Sequence, residues 1–522
     1  MLQRFLPALW IMVLVGMTAC NNNNRVTEAT TPTLDNLIPK PVTVKAGTGL
    51  FTLNDSTVIT VAPGNAELLR VAGYMAAVLK PATGFTFHID SVAKTSNSIA
   101  IGLVGDSSLT SEGYEMNIAT NGIVLNAYRP AGIFYGVQTI RQLLPAAIGK
   151  ASVQTGPWSI AAGTIRDYPD YGMRGSMLDV ARHFFGTDDV KRYIDLLAYY
   201  KLNTLHLHLS DDQGWRIEIK KWPRLTEYGS TTQVGGGKGG FYNQEQYKEL
   251  VQYAGDRFIT VIPEIDMPGH TNAALASYPE LNCNEKDKNP KLYSGIEVGF
   301  STLCTKNEKV YQFVEDVFTE LAAITPGPYL HIGGDESHAT SKEDYIPFVN
   351  RVQAIVKKLG KQVIGWDEIA LSTLQPNSTA QYWADSANSK NAVKQGAKII
   401  MSPAARSYMD MQYDSTTRLG LHWAAYIEVD QAYNWNPATL VNGIERKDII
   451  GVEAPLWSET IVNMNDIEYM VFPRLPGYAE IAWSPVAGRS WDEYKARLGN
   501  HAAQMKAMDI DYYPSKLVDW KE

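Results

Sequence analysis

Tyr329-Leu330-His331-Ile332-Gly333-Gly334-Asp335-Glu336 is an apolar, strand-like run that ends in two glycines and then presents two adjacent carboxylates. Gly333 and Gly334 let the backbone turn sharply or approach a neighbour where a Cβ would clash. Two neighbouring acids repel, so a shared site pushes at least one pKa upward, toward general-acid work near neutral pH. Taken alone, the stretch also fits a strand that ends in a solvated acidic turn. Its recurrence along the chain decides between the two.

Strand-like runs at 172–179, 204–210, 259–265, 329–333, 362–366, 380–383, 398–402 and 451–456 alternate with helical spacing at 190–200, 244–255, 309–324 and 344–359. A helix at 467–482 closes the series. Eight strands in βα alternation predict an α/β fold, a (β/α)8 TIM barrel over residues 167–522. Residues 36–166 read as a small α+β domain, with alternating segments at 50–61, 98–104 and 122–127 and helical spacing at 67–79 and 132–144. Residues 21–35 are polar and Thr-rich, as a tether would be.

Residues 1–20 read as a signal segment, with Arg4 as the single charge and an apolar run too short to span a membrane comfortably. Thr18 and Ala19 precede Cys20, and four asparagines follow it, a pattern resembling a bacterial lipoprotein signal in which Cys20 is lipidated. The protein is therefore expected in the cell envelope, on the periplasmic or outer face, touching membrane only through this anchor. In that oxidising setting Cys283 and Cys304 are expected to pair. The bridge would close a loop of about 20 residues, contributing roughly 3 kcal/mol on the chain-entropy account. A net charge of −8 and no Lys/Arg-rich run argue against nucleic acid as a partner. Twelve Trp and 28 Tyr supply flat faces of the kind that sugar sites use.

Barrel active sites lie at the C-terminal strand ends, and here those ends are loaded. The first gives Asp179, Arg182 and His183; the second His206, His208, Asp211, Asp212 and Trp215. The third gives Glu264, Asp266 and His270, the fourth Asp335 and Glu336, the fifth Trp366, Asp367 and Glu368. Trp383 and Asp385, then Tyr408 and Asp410, then Trp457 and Glu459 complete the ring. Acids or Trp at all eight ends point to a site, not to solvated turns. Carboxylates between Trp walls, with no nucleophile elbow or phosphate loop, suggest a glycosidase. A metal-dependent barrel hydrolase built on His206 and His208 is the competing enzyme reading. It lacks a third His at ligand spacing, and Leu207 and Leu209 could equally be the inward set. A glycan-binding lipoprotein without catalysis is the non-enzyme reading.

Ordered motifs carry a resemblance to the β-N-acetylhexosaminidases of glycoside hydrolase family 20, from about Ile38 to the C-terminus. They include Arg174-Gly175 with Asp179, Arg182 and His183, then His206 to Arg216, Pro263 to His270, and His331 to Glu336. Gly365-Trp366-Asp367-Glu368, Tyr408-Met409-Asp410 and Trp457-Ser458-Glu459 complete them. The resemblance implies an exo-acting retaining enzyme that uses the substrate's own 2-acetamido oxygen as nucleophile, an exception to the two-carboxylate scheme. It implies Glu336 as general acid and base, Asp335 as the group that orients the acetamido N–H, and Tyr408 as a donor to the acetamido oxygen. It assigns Arg174, Asp410 and Glu459 to sugar hydroxyls, Trp366, Trp383 and Trp457 to the pocket walls, and Asp211 with His270 to a pair behind Glu336. No metal or cofactor is implied, and the expected partners are glycans ending in N-acetylhexosamine. Ala384 departs from the pattern, since family members often carry Arg directly after the Trp at the sixth strand. Preference between GlcNAc and GalNAc rests on loop geometry.

Overall fold

Residues between Tyr114 and Ala127 bury every second side chain and turn at Thr120-Asn121, so β5 (Tyr114–Ala119) and β6 (Gly122–Ala127) form an antiparallel hairpin with one buried face. The structure, a computed structural model, describes residues 32–92, 94–284 and 288–521. The expected signal segment, Cys20 and most of the expected tether lie outside them.

The hairpin belongs to a seven-stranded mixed sheet with β1 (Thr43–Leu53), β2 (Val58–Val61), β3 (His88–Asp90), β4 (Ser98–Leu103) and β7 (Trp158–Asp167), in the order β1-β7-β5-β6-β4-β2-β3. The segment expected at 50–61 is two strands, because Thr57 N–H donates to the Asn54 carbonyl and turns the chain. Helices α1 (Ala66–Thr83) and α2 (Pro130–Leu143) lie between this sheet and the barrel. Phe134 meets Phe258 at 5.4 Å, and Tyr135 meets Trp483 at 5.2 Å. Residues from Pro32 onward form one compact unit. Leu34, expected in the tether, is instead buried with Leu37 and Ile38, so the packed chain starts earlier than the polar composition suggested.

The barrel closes as expected. Its strands are Met173–Asp179, Thr204–His208, Thr260–Glu264, Tyr329–His331, Gln362–Trp366, Thr379–Tyr382, Lys398–Met401 and Ile449–Leu456, all parallel, with the eighth paired to the first. The helix expected at 467–482 is two, Met464–Val471 and Arg474–Trp483. Pro473 between them has no N–H to continue the ladder. Met173, Ile262, Ile364 and Ile400, one from each odd strand, form an apolar layer at the closed, N-terminal end. The Cys283–Cys304 disulfide is present, with Cα atoms 5.1 Å apart.

Arg174 belongs to that closed end. It begins the first strand, its guanidinium meets both Glu112 carboxylate oxygens at 2.8 and 2.9 Å, and it also donates to the Tyr171 and Lys201 carbonyls. Its expected role on sugar hydroxyls is therefore corrected: Arg174 clamps the α+β domain to the barrel floor, a barrel length from the strand-end acids. Burial works against charge on Glu112, but Arg174 overrides it and holds the carboxyl below its usual range. Breaking a buried pair strands the other charge, at about 3–5 kcal/mol. Glu112→Ala should lower the denaturation midpoint accordingly while leaving kcat/KM of the folded enzyme unchanged.

Candidate active site

At the open end of the barrel a cavity of about 200 Å³ is lined by Arg182, Asp335, Glu336, Trp383, Tyr408, Asp410, Trp457 and Glu459. Ile296, Val298, Leu421 and Trp423 line it as well, and three of them are largely exposed, Trp423 at 57%. Ile296 and Val298 sit on the loop that the disulfide closes.

The acid pair is held by an unusual backbone. Gly333 and Gly334 have φ of 63° and 106°. A Cβ on Gly333 would lie 1.8 Å from Asp266 Oδ1, so glycine is required there. Gly334 N–H donates to Asp266 Oδ1 at 3.0 Å, and Tyr345 O–H donates to the Gly334 carbonyl at 2.7 Å. Glu336 and His270 are both left-handed, at φ 43° and 54°. Strain of this kind costs about 1–3 kcal/mol per residue and persists where surroundings over-determine it, often at active sites.

His270 joins the two acids. Its Nε2 lies 3.5 Å from Glu336 Oε2 and 3.7 Å from Asp335 Oδ2, and its Nδ1 lies 3.2 Å from Asp211 Oδ1. Burial opposes charge on this imidazole, but Asp211, Glu336 and Asp335 override it and push its pKa well up. Glu336 is 30% exposed. Its burial would raise its pKa, yet the hydrogen bond and charge of His270, with Arg182, hold it below the usual range. Asp335 moves the other way, driven well up by burial and then by the neighbouring Asp266. The upward shift expected for one of the pair thus falls on Asp335, not on Glu336. Asp266 itself is raised to about 7, chiefly by burial, so Asp266 and Asp335 compete for one proton. Removing the Asp266 charge lowers the Asp335 pKa. Asp266→Asn should therefore move the acid limb of the kcat/KM–pH profile to lower pH while keeping the Gly334 contact.

Asp410 Oδ1 and Oδ2, Glu459 Oε2 and Asp335 Oδ1 are buried without a protein hydrogen-bond partner among the described residues. Such groups are costly unless a ligand satisfies them, and they reject ligands that cannot. Burial raises Asp410 and Glu459 as well, with Glu459 adding to the first and Arg182 opposing the second. The cavity's guanidinium is Arg182, which forms an ion pair with Asp211 Oδ2 at 2.8 Å and lies 4.6 Å over the Trp457 ring. It takes the place in the cavity that had been expected for Arg174. The Asp179-x-x-Arg182 spacing just past the first strand was the available signal. His183 anchors the last turn, with N–H to Ser458 Oγ at 3.0 Å.

The Trp residues divide by depth. Trp457 and Trp383 line the cavity, while Trp366 is fully buried behind them, 5.7 Å from Trp457, with its indole N–H on Glu264 Oε1. Trp383 is braced by indole N–H to Glu368 Oε2 at 3.0 Å and backbone N–H to Asp367 Oδ2 at 3.2 Å. Ala384 beside it is exposed. Trp423 was not anticipated, nor were Ile296, Val298 and Leu421.

Beneath the cavity, one layer of the barrel interior is polar. His206, His331, Gln381 and Glu453 come from the four even strands, and Glu264 lies just above. His206 and His208 both point inward and Leu207 outward. His206, Glu264 and His331 are by residue type able to hold a cation. Glu264 already meets His206 at 3.0 Å, His208 at 2.5 Å, His331 at 3.1 Å and Trp366 at 2.9 Å. Those are hydrogen-bond distances, and the layer reads as a charge-paired core.

Residues 35–168 match the family profile described as Glycosyl hydrolase family 20, domain 2, and residues 171–344 and 337–486 match Glycosyl hydrolase family 20, catalytic domain. The chain is 40% identical to a β-N-acetylhexosaminidase of Cellulomonas fimi over 93% of its length and 97% of the relative's. It is 34% identical to a β-hexosaminidase of Porphyromonas gingivalis, covering 96% of this chain and 67% of that one. It superposes on the Streptomyces plicatus N-acetyl-β-hexosaminidase solved with Thio-NAglucal at a TM-score of 0.91 and 49% identity, covering 94% and 99% of the two chains.

Proposed function

The chain belongs to glycosyl hydrolase family 20, and from that premise we propose how its residues divide the work of a retaining, exo-acting β-N-acetylhexosaminidase. Glu336 delivers a proton to the leaving glycosidic oxygen. The substrate's 2-acetamido oxygen attacks C1 as the C1–O bond breaks, giving an oxazolinium ion. Asp335 accepts the acetamido N–H and stabilises the positive charge that grows on it, while Tyr408 donates to the acetamido oxygen. Glu336 then takes a proton from water, which opens the ring at C1 with retention. Asp410, Glu459 and Arg182 hold the sugar hydroxyls, and Trp383 and Trp457 wall the ring.

The observation that carries this reading is the convergence of Asp335 and Glu336 on one nitrogen, His270 Nε2. An enzymatic acid and backside nucleophile face each other about 5 Å apart across the bond; these two neighbouring acids instead share one imidazole. A neighbouring group on the sugar meets the need for a nucleophile, at effective molarities of about 10⁵–10⁸ M. The small cavity, ended by Asp410 and Glu459, suits a single terminal GlcNAc or GalNAc of an oligosaccharide or glycan. Release of p-nitrophenol from the N-acetyl-β-glucosaminide but not from the plain β-glucoside is expected; equal rates on both would refute the scheme. Export with lipidation at Cys20 is supported by the apolar run and the Cys20 context, and the disulfide suits an oxidising compartment. Among the described residues no helix is long and apolar enough to cross a membrane. Cys20→Ala should shift activity from the membrane to the soluble fraction.

A further inference from the structure

We propose that His208, which lines no part of the cavity, is a positioning residue for proton transfer: together with Glu264 it fixes the Asp211–His270 unit that addresses Glu336. The proposal rests on Glu336 being the general acid.

The geometry is a continuous column. His208 Nδ1 lies 2.5 Å from Glu264 Oε2 and its Nε2 lies 2.8 Å from Asp211 Oδ2. Asp211 then offers its other oxygen, Oδ1, to His270 Nδ1 at 3.2 Å, and His270 Nε2 faces Glu336. Every member but Glu336 is buried. Both nitrogens of His208 face carboxylate oxygens, and ionised carboxylates only accept, so the ring fits as a doubly protonated cation. Burial disfavours that charge, but Glu264 and Asp211 override it and push the pKa well up.

The division of the two Asp211 oxygens among four partners is what gives His208 its leverage. His208 and Arg182 both occupy Oδ2, so His270 meets Oδ1, which the Asp212 N–H also holds at 2.6 Å, and this fixed carboxylate sets the tilt of the imidazole toward Glu336. Glu336 and His270 hold one transferable proton between them, and their apparent pKa belongs to the pair. The titratable and charged groups facing the pair are Asp211, Asp212, Asp266, Arg182, Asp335 and His338. Those facing His208 are Glu264 from the third strand and Asp211 beyond its own, with the Trp457 ring edge-on at 4.9 Å. His206 and His331 reach it through Glu264, and Asp266 lies within range of its charge. A positive His208 lowers the proton affinity of everything above it. Removing that charge raises the pair's apparent pKa.

His208→Gln keeps an amide donor and removes the cation. The pH profile of kcat/KM should move to higher pH by about half a unit or more. Turnover of alkyl glycosides should fall about tenfold, with KM changed less than about twofold, since no sugar contact is lost. A residue with a merely structural role would lower stability and leave the pH profile in place. A folded His208→Gln enzyme with the wild-type profile overturns the proposal. If that variant does not fold, neutron diffraction on the wild-type enzyme at pH 7 decides: deuterium on both His208 nitrogens supports it, a singly protonated ring overturns it. Glu336→Gln separates the two levels. If Glu336→Gln keeps full activity on alkyl glycosides, the general-acid reading itself fails. If it is crippled while His208→Gln keeps the wild-type profile, only the positioning role fails.

Discussion

Glu336→Gln should hydrolyse alkyl and oligosaccharide N-acetylhexosaminides about 10²–10⁴-fold more slowly than the wild type. The loss should shrink on aryl glycosides whose leaving group departs as a stable anion. The amide preserves the shape of the side chain but carries no acidic proton, so only the step that needs a proton is affected. Because Glu336 is 30% exposed and lies against a cationic His270, it is ionised in the free enzyme near neutrality. A sugar filling the cavity expels water from its exposed side and restores the burial contribution that raises a carboxyl pKa. The proton is then supplied by the His270–Glu336 pair as a unit. A steady-state comparison of methyl and dinitrophenyl glycosides reads this directly, and an equal loss on both would remove the acid role.

Asp335→Asn should cost about 10²–10³-fold in kcat with little change in KM, the signature of a contact that strengthens only as charge develops. In the free enzyme Asp335 is buried and pushed well up by burial and Asp266, and its Oδ1 has no protein partner among the described residues. An acetamido N–H provides that partner, and the growing positive charge of the oxazolinium draws the carboxylate toward its ionised form. Asparagine can accept the same hydrogen bond but brings no charge. A variant that loses affinity while keeping kcat would mean that Asp335 only binds the acetamido group.

The barrel was legible because each strand ends in an abrupt change from apolar to polar residues, with helical spacing in the longer gaps between them. Pro473 carried a readable stop that the apolar periodicity around it masked. Arg174 was misplaced by its motif although its position at the start of the first strand already put it at the closed end. The polar layer of His206, His331, Gln381 and Glu453 was hidden because strands buried on both faces show no alternation from which to read the inward set. Trp423 lies in the long connection between the seventh and eighth strands, where no period marks which side chain will reach the cavity. The asymmetry between the two acids was also out of reach. Adjacency alone predicts mutual repulsion, but Asp335 is raised first by burial and then by Asp266, on a different strand end, more than by Glu336, and the neighbour that lowers Glu336 is His270.

The central claim is that the nucleophile belongs to the sugar, and progressive fluorination of the substrate's N-acetyl methyl group tests it most directly. Each fluorine withdraws electron density from the acetamido oxygen while barely changing its size. If that oxygen attacks C1, kcat/KM should fall steeply and monotonically from the acetyl to the trifluoroacetyl p-nitrophenyl glycoside. A flat series would contradict the account and return the nucleophile to the protein or to water.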